Sequence, residues 1–148
     1  MSGAVIRALR GEDRAPWETL WRAYLAFYES EVAPEVTNGT WARLHDTAEP
    51  MFALGAFKDD TLVGIVHYLF HRSTWTLGDY CYLQDLFTAE EARGEGVGRA
   101  LIEAVYDEAR AAGASRVYWL TQETNATARR LYDAVAVRSG FIQYRKVF

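Results

Sequence analysis

The amino-acid sequence predicts a mixed α/β fold, with a mostly antiparallel sheet of about six or seven strands flanked by about four helices. Three observations lead there. The first half is dominated by short apolar, β-branched and aromatic runs bounded by turn residues. In the second half helical and extended periodicities alternate. No repeat, low-complexity run or Pro/Gly/Ser-rich linker divides the chain, so residues 1–148 read as one domain.

Val5 to Leu9 has the pattern of a short strand. Asp13 then offers a side-chain oxygen to cap a helix on which Trp17, Leu20, Trp21, Tyr24, Phe27 and Tyr28 recur at helical spacing, an aromatic stripe suited to a core. Past Pro34 and Asn38-Gly39, taken as breakers, a second short helix is expected over Thr40 to His45. Met51 to Phe57 and Thr61 to His71 read as strands joined by the turn Lys58-Asp59-Asp60, and Tyr80 to Thr88 as a third. Val97, Leu101, Ala104, Val105, Ala109 and Ala112 then follow helical periodicity up to Gly113. Arg116 to Thr121 suits a buried strand, and Asn125 can cap a helix carrying Ala128, Leu131, Tyr132 and Val135. Phe141 to Val147 is expected as the closing strand.

Composition narrows the function classes. A net charge of −4 argues against broad nucleic-acid binding and leaves room for a cationic substrate. No window approaches the roughly 18 apolar residues of a membrane span, and the charged start from Met1 to Arg14 is unlike a signal core, so the expected compartment is the cytoplasm. A single cysteine, Cys81, excludes an internal disulfide framework and a Cys-cluster metal site. His67 and His71 are four apart, but on a strand that spacing is about 13 Å, too wide for one ion, so no metal is expected. Cys81 reads more simply as a small buried hydrophobe than as a nucleophile.

The segment from Tyr82 to Leu101 runs strand, connection, glycine loop, helix, an order that aims several backbone N–H groups at one place and so favours phosphate. Gly94, Gly96 and Gly98 allow close approach there. The loop comes too late in the chain for a dinucleotide fingerprint, and Gly98-Arg99-Ala100 is not a Walker ending.

Arg93-Gly94-Glu95-Gly96-Val97-Gly98, preceded by Tyr82-Leu83-Gln84-Asp85-Leu86-Phe87-Thr88, resembles the donor loop and preceding strand of the GNAT N-acetyltransferases. Val117 to Thr121, the run Asn125-Ala126-Thr127-Ala128-Arg129-Arg130-Leu131-Tyr132, and Gly140-Phe141 resemble that superfamily's next strand, helix and closing strand. The likeness is nearest to the polyamine (spermidine/spermine-type) and Hpa2-like groups. It implies a GNAT fold with a splayed central parallel strand pair, acetyl-CoA as acyl donor, a primary amine as acceptor, and a homodimer that pairs strands or exchanges C-terminal segments.

Carried over by residue, the resemblance implies that Leu86, Phe87 and Thr88 pair with the pantetheine arm. The backbone N–H groups of Gly94, Glu95, Gly96, Val97, Gly98 and Arg99 would hold the pyrophosphate, with charge from Arg93 and Arg99. Asn125 has two readings, as a contact to the donor arm and as a helix N-cap. Tyr132 matches the family's general acid, a core tyrosine being its alternative. The polyamine-type relatives carry Leu-Glu-Asp where this chain has Leu83-Gln84-Asp85, so one acceptor-side carboxylate is missing at Gln84. Asp85, Glu29 and Glu31 remain as candidate base or amine contacts, with Tyr24 and Tyr28 as candidate pocket walls and a water chain as an alternative base. The alternatives are a protein-lysine, amino-acid or aminoglycoside acetyltransferase, and a non-catalytic acyl-CoA sensor.

Overall fold

The computed structural model describes residues 3–148. Strands β1 (Val5–Ala8), β2 (Met51–Lys58), β3 (Thr61–His71), β4 (Tyr80–Thr88) and β5 (Val117–Tyr118) form one sheet in that spatial order. Neighbours from β1 to β4 are antiparallel, whereas β4 and β5 are parallel. The helices are α1 (Arg14–Phe27), α2 (Pro34–Leu44), α3 (Val97–Ala111) and α4 (Ala126–Val135). The β2–β3 hairpin turns through Asp59 and Asp60, both at positive φ, the backbone that two-residue hairpin turns require.

Both faces of the sheet are covered. Ile65 and Val66 are adjacent on β3, so they point to opposite faces, and each is fully buried in a different cluster. On one face the aromatic stripe of α1 buries Trp17, Leu20 and Trp21 against Phe57, Leu62 and Ile65. The other face receives Val97, Leu101, Ile102 and Val105 of α3 on Val66, Cys81 and Leu83. Each fully buried aliphatic side chain contributes about 1.5–3 kcal/mol, so α3 is held mainly by this stripe. At Gly64 an added Cβ would lie 2.8 Å from Val97 Cγ1 and 3.1 Å from Leu101 Cδ1. The bare backbone at that position lets the first turns of α3 sit close on β3.

Several boundaries depart from expectation. Asp13 does not cap α1 through its side chain; its carboxylate accepts from Arg10 N–H at 2.7 Å and from Arg7 Nη1 at 2.8 Å, tying β1 to the turn. The second helix begins at Pro34, ahead of the expected Thr40, because proline at the first helical position has no N–H to leave unpaired. β5 is only two residues long, and the expected strand Phe141 to Val147 does not form within the single chain. Residues 136–148 run without regular structure, leaving Phe141, Ile142, Tyr144, Val147 and Phe148 exposed. Among the described residues the sheet therefore has five strands, and the difference from six or seven lies in this segment.

Candidate active site

The donor side is set by where β4 and β5 part. They pair only at Cys81–Val117 and Tyr82–Tyr118, after which β4 continues to Thr88 paired on its β3 side only. That opening is a splayed parallel pair as expected from the resemblance, but it lies at the edge of the sheet and not at its centre, because no further strand forms beyond β5 among the described residues. Leu86, Phe87 and Thr88 line the β4 side of it, with Gly98 and Leu131 close by: a Cβ on Gly98 would stand 3.4 Å from Leu131 Cδ2 and 3.9 Å from Thr88 Oγ1.

At the mouth of the cleft the chain turns through Gly94 and Gly96, both at φ near +80°, and Gly96 (ψ 12°) is the residue that precedes α3. Left-handed backbone at both places suits glycine and strains other residues. The first N–H groups of α3 have no intrahelical acceptor, and Ala100 N–H is the first to bond back, to the Gly96 carbonyl at 3.0 Å. Glu95 is held by Lys58 Nζ at 2.6 Å, which fastens the loop to the β2–β3 hairpin. Arg93 donates from Nε to the Thr88 carbonyl at 3.1 Å and lies over the Phe87 ring; Arg99 pairs with Glu103 at 3.2 Å.

On the acceptor side a β-bulge decides what faces what. His67 is opposite Asp85 while Tyr68 is opposite Leu83, so Gln84 is an extra residue in β4. Strict alternation from Cys81 and Leu83 would send Asp85 to the α3 face. The bulge flips it to the α1 face, where His67 Nδ1 lies 2.9 Å from Asp85 Oδ2. Trp17 Nε1 donates to His67 Nε2 at 2.9 Å, so α1 is wired through β3 to the β4 carboxylate. Gln84 itself points to solvent.

Aromatic rings surround this carboxylate. Tyr24 lies near Asp85, and burial followed by that carboxylate holds the phenol far above its usual range. Burial and then Asp85 raise Tyr28; burial, Tyr118 and Asp85 raise Tyr82. Tyr24 meets Tyr28 edge-on at 5.2 Å and Phe87 at 6.1 Å. Tyr132, on α4, packs edge-on against Trp119 at 5.4 Å, and burial, with a smaller contribution from Tyr28, pushes it up to about 12. Asp85, Tyr28 and Tyr132 are thus within electrostatic reach as a chain, an anion at one end and a protonated phenol at the other. Such a pair can receive an ammonium and supply a proton to a leaving group.

Of the other candidates, Asn125 caps α4, its Oδ1 accepting from Ala128 N–H at 3.4 Å. Glu29 and Glu31 follow α1 on exposed backbone, Glu29 at positive φ, and neither is brought to Asp85. His71 bonds to the Tyr118 hydroxyl at 2.7 Å, so the two histidines on β3 serve different partners. Sequence reasoning assigned no role to His67 or to the Trp17 indole; only the indole's place on the buried stripe marked it. Among the described residues no helix is long and apolar enough to cross a membrane.

This fold and cleft define an acyl-CoA-dependent acyltransferase. The family model for the acetyltransferase (GNAT) family matches residues 13–136. The D-amino-acid N-acetyltransferase HPA3 of Saccharomyces cerevisiae is 36% identical over 144 residues, 96% of this chain and 89% of that protein. The thialysine N-epsilon-acetyltransferase of Mus musculus is 34% identical over 66% of this chain and 60% of its own length. Among solved structures, the ribosomal-protein-alanine N-acetyltransferase of Brucella melitensis superposes with a TM-score of 0.83 at 23% identity, over 98% of this chain and 99% of that one. AAC(6')-Iy bound to the bisubstrate analog CoA-S-monomethyl-acetylneamine superposes equally well, at 0.83 with 17% identity over the same shares, and this likeness speaks for the fold alone. The chain belongs to the acetyltransferase (GNAT) family. It is an N-acetyltransferase that moves the acetyl group of acetyl-CoA to an amine.

Proposed function

We propose that the acceptor is the primary amine of a free small molecule, docked as its ammonium against Asp85 between Tyr24 and Tyr28. The observation that carries this reading is the bulge at Gln84, which presents a nearly buried carboxylate, its side chain 12% exposed, to an aromatic recess instead of to solvent. A cation is the natural occupant of such a site, since a carboxylate and ring faces both attract it. Asp85, or a water held by it, takes the ammonium proton. The free amine attacks the thioester carbonyl, a β4 N–H near Leu86 meets the developing oxyanion, and C–S cleavage expels thiolate, which takes its proton from Tyr132. Leu86, Phe87 and Thr88 flank the pantetheine arm, and the N–H groups from Gly94 to Arg99 receive the pyrophosphate, with Arg93 beside them. Asn125 contributes by fixing the start of the helix that carries Tyr132.

The first acceptors to try are D-amino acids and thialysine, because relatives of this chain are named for them. A free-thiol release assay against these, polyamines, aminoglycosides and lysine peptides tests the reading. Turnover on a free small amine supports it; turnover only on a peptide lysine, or acetyl-CoA binding without release on any amine, refutes it. The buried free Cys81 suits a reducing cytoplasm. We read the working form as a homodimer in which residues 136–148 pair with a second copy, since six large apolar side chains there are exposed and the outer strand β5 is only two residues long. Light scattering should show twice the chain mass, and Phe141→Asp with Ile142→Asp should halve it; a monomeric wild type refutes the assembly.

A further inference from the structure

Trp17 and His67 lie behind the acceptor site, both buried, on a line that ends at Asp85. An indole N–H can only donate. His67 Nε2, 2.9 Å from Trp17 Nε1, must therefore present a lone pair, which puts the ring proton on Nδ1. Nδ1–H in turn points at Asp85 Oδ2 at 2.9 Å. A proton on Nε2 would face the indole hydrogen, so the contact disfavours both the other tautomer and the imidazolium. Trp21 and Trp17 pack on the imidazole at ring distances of 5.4 and 6.0 Å, which restrains rotation of the ring. The groups that face Asp85 are then His67, as a neutral donor, and the phenols of Tyr24, Tyr28 and Tyr82 near it.

We propose that Trp17 and His67 are positioning residues for acetyl transfer: the indole locks His67 as the neutral Nδ1–H tautomer, and that N–H orients the Asp85 carboxylate toward the acceptor amine without cancelling its charge. An imidazolium in the same place would form an internal ion pair with Asp85 and compete with the substrate cation. A neutral donor fixes geometry while leaving the anion's attraction for the ammonium intact. The reading of Asp85 as the amine's anchor underlies the catalytic half of this proposal; the tautomer half stands on the buried contacts alone.

Two measurements test the two halves. Long-range 1H–15N correlation spectra of histidine-labelled wild-type protein, with His67 assigned by its loss in a substituted variant, should show the Nδ1–H pattern. Trp17→Phe should release it toward mixed tautomers. An Nε2–H or doubly protonated His67 in the wild type at neutral pH would overturn the lock, whatever the enzyme's activity. For the catalytic half, an asparagine amide nitrogen can stand where Nδ1 does, whereas that of glutamine reaches toward the Nε2 position. His67→Gln should raise KM for the amine roughly ten- to a hundredfold, the range for losing a hydrogen bond to a charged group. His67→Asn should recover most of that loss, and acetyl-CoA affinity should be the same in both. Equal losses in the two variants, or acetyl-CoA affinity falling in step, would refute the positioning role. A wild type that acetylates only peptide lysines would instead overturn the proposed acceptor and leave the tautomer result standing.

Discussion

Removing one oxygen atom, by Tyr132→Phe, isolates the proton that the leaving thiolate needs. Burial pushes this phenol up to about 12, so it is neutral below that pH and loses its proton only above it. The acid form is therefore present across the whole working range, and Tyr132 should impose no alkaline limb on kcat below about pH 11. The acceptor of the proton is a thiolate, ordinarily near 8.5 in water. Within this protein burial alone pushes the Cys81 thiol up to about 11. Desolvation raises a thiol in the same sense, so a thiolate expelled where water is scarce becomes a better acceptor for the phenol's proton. General-acid assistance is worth about 10²–10⁴ in rate, and because a thiolate is a fair leaving group unaided we expect kcat to fall about 10²-fold. The ring and its edge contact with Trp119 remain in the phenylalanine variant, so acetyl-CoA affinity should change by less than about threefold. Thiol release at saturating acetyl-CoA gives kcat, and calorimetry gives Kd. A kcat within about threefold of wild type, or a Kd that rises in proportion to the lost rate, would refute the acid role.

Gly96→Val puts a β-branched residue at φ +81°, a strain of at least about 1–2 kcal/mol, and should weaken acetyl-CoA binding at least tenfold in a protein whose circular dichroism is unchanged. At Gly64, alanine would press a methyl group 2.8 Å from Val97 Cγ1; overpacking of about 1–3 kcal/mol should lower Tm by roughly 3–10 °C in differential scanning calorimetry. Asp13→Asn removes a carboxylate held below its usual range first by its hydrogen bond to Arg7. Because the folded-state value is depressed, its stabilisation is full above about pH 4 and disappears as pH falls through that value. Urea titrations should therefore show a deficit of about 1–3 kcal/mol at pH 7 that shrinks progressively below pH 4.

Much of this was legible in the sequence because the signals were local. The stripe Trp17, Leu20, Trp21 and the spacing of Val97, Leu101 and Val105 each identify a helix face, and both faces are buried as expected. The Asp59-Asp60 turn and the glycine loop likewise act through their own backbone. What escaped depends on partners far away in the chain. Nothing around Gln84 announces a bulge, since its position is set by how β4 registers on β3, so counting alternate residues puts Asp85 on the wrong face. His67 looked like half of a failed metal pair; its true neighbours are 50 residues before and 18 residues after it. Pro34 was read as a breaker when its place at a helix start makes it an initiator. Phe141 to Val147 has strand composition, but a strand also needs a free edge in reach, and composition does not say whose edge that is.

The extra residue at Gln84 acts like a single-base insertion in a reading frame. Upstream, Cys81 and Leu83 are read by α3; downstream, Asp85 and Phe87 are read by α1. Were Gln84 instead paired with His67 in a regular ladder, the carboxylate would be handed to the hydrophobic face beneath α3 and Leu86 presented to the acceptor. One backbone unit thus decides which half of the molecule owns the anion. Substitutions at Gln84 that keep it out of the ladder should be tolerated readily, whereas a register that absorbs it into the ladder should not.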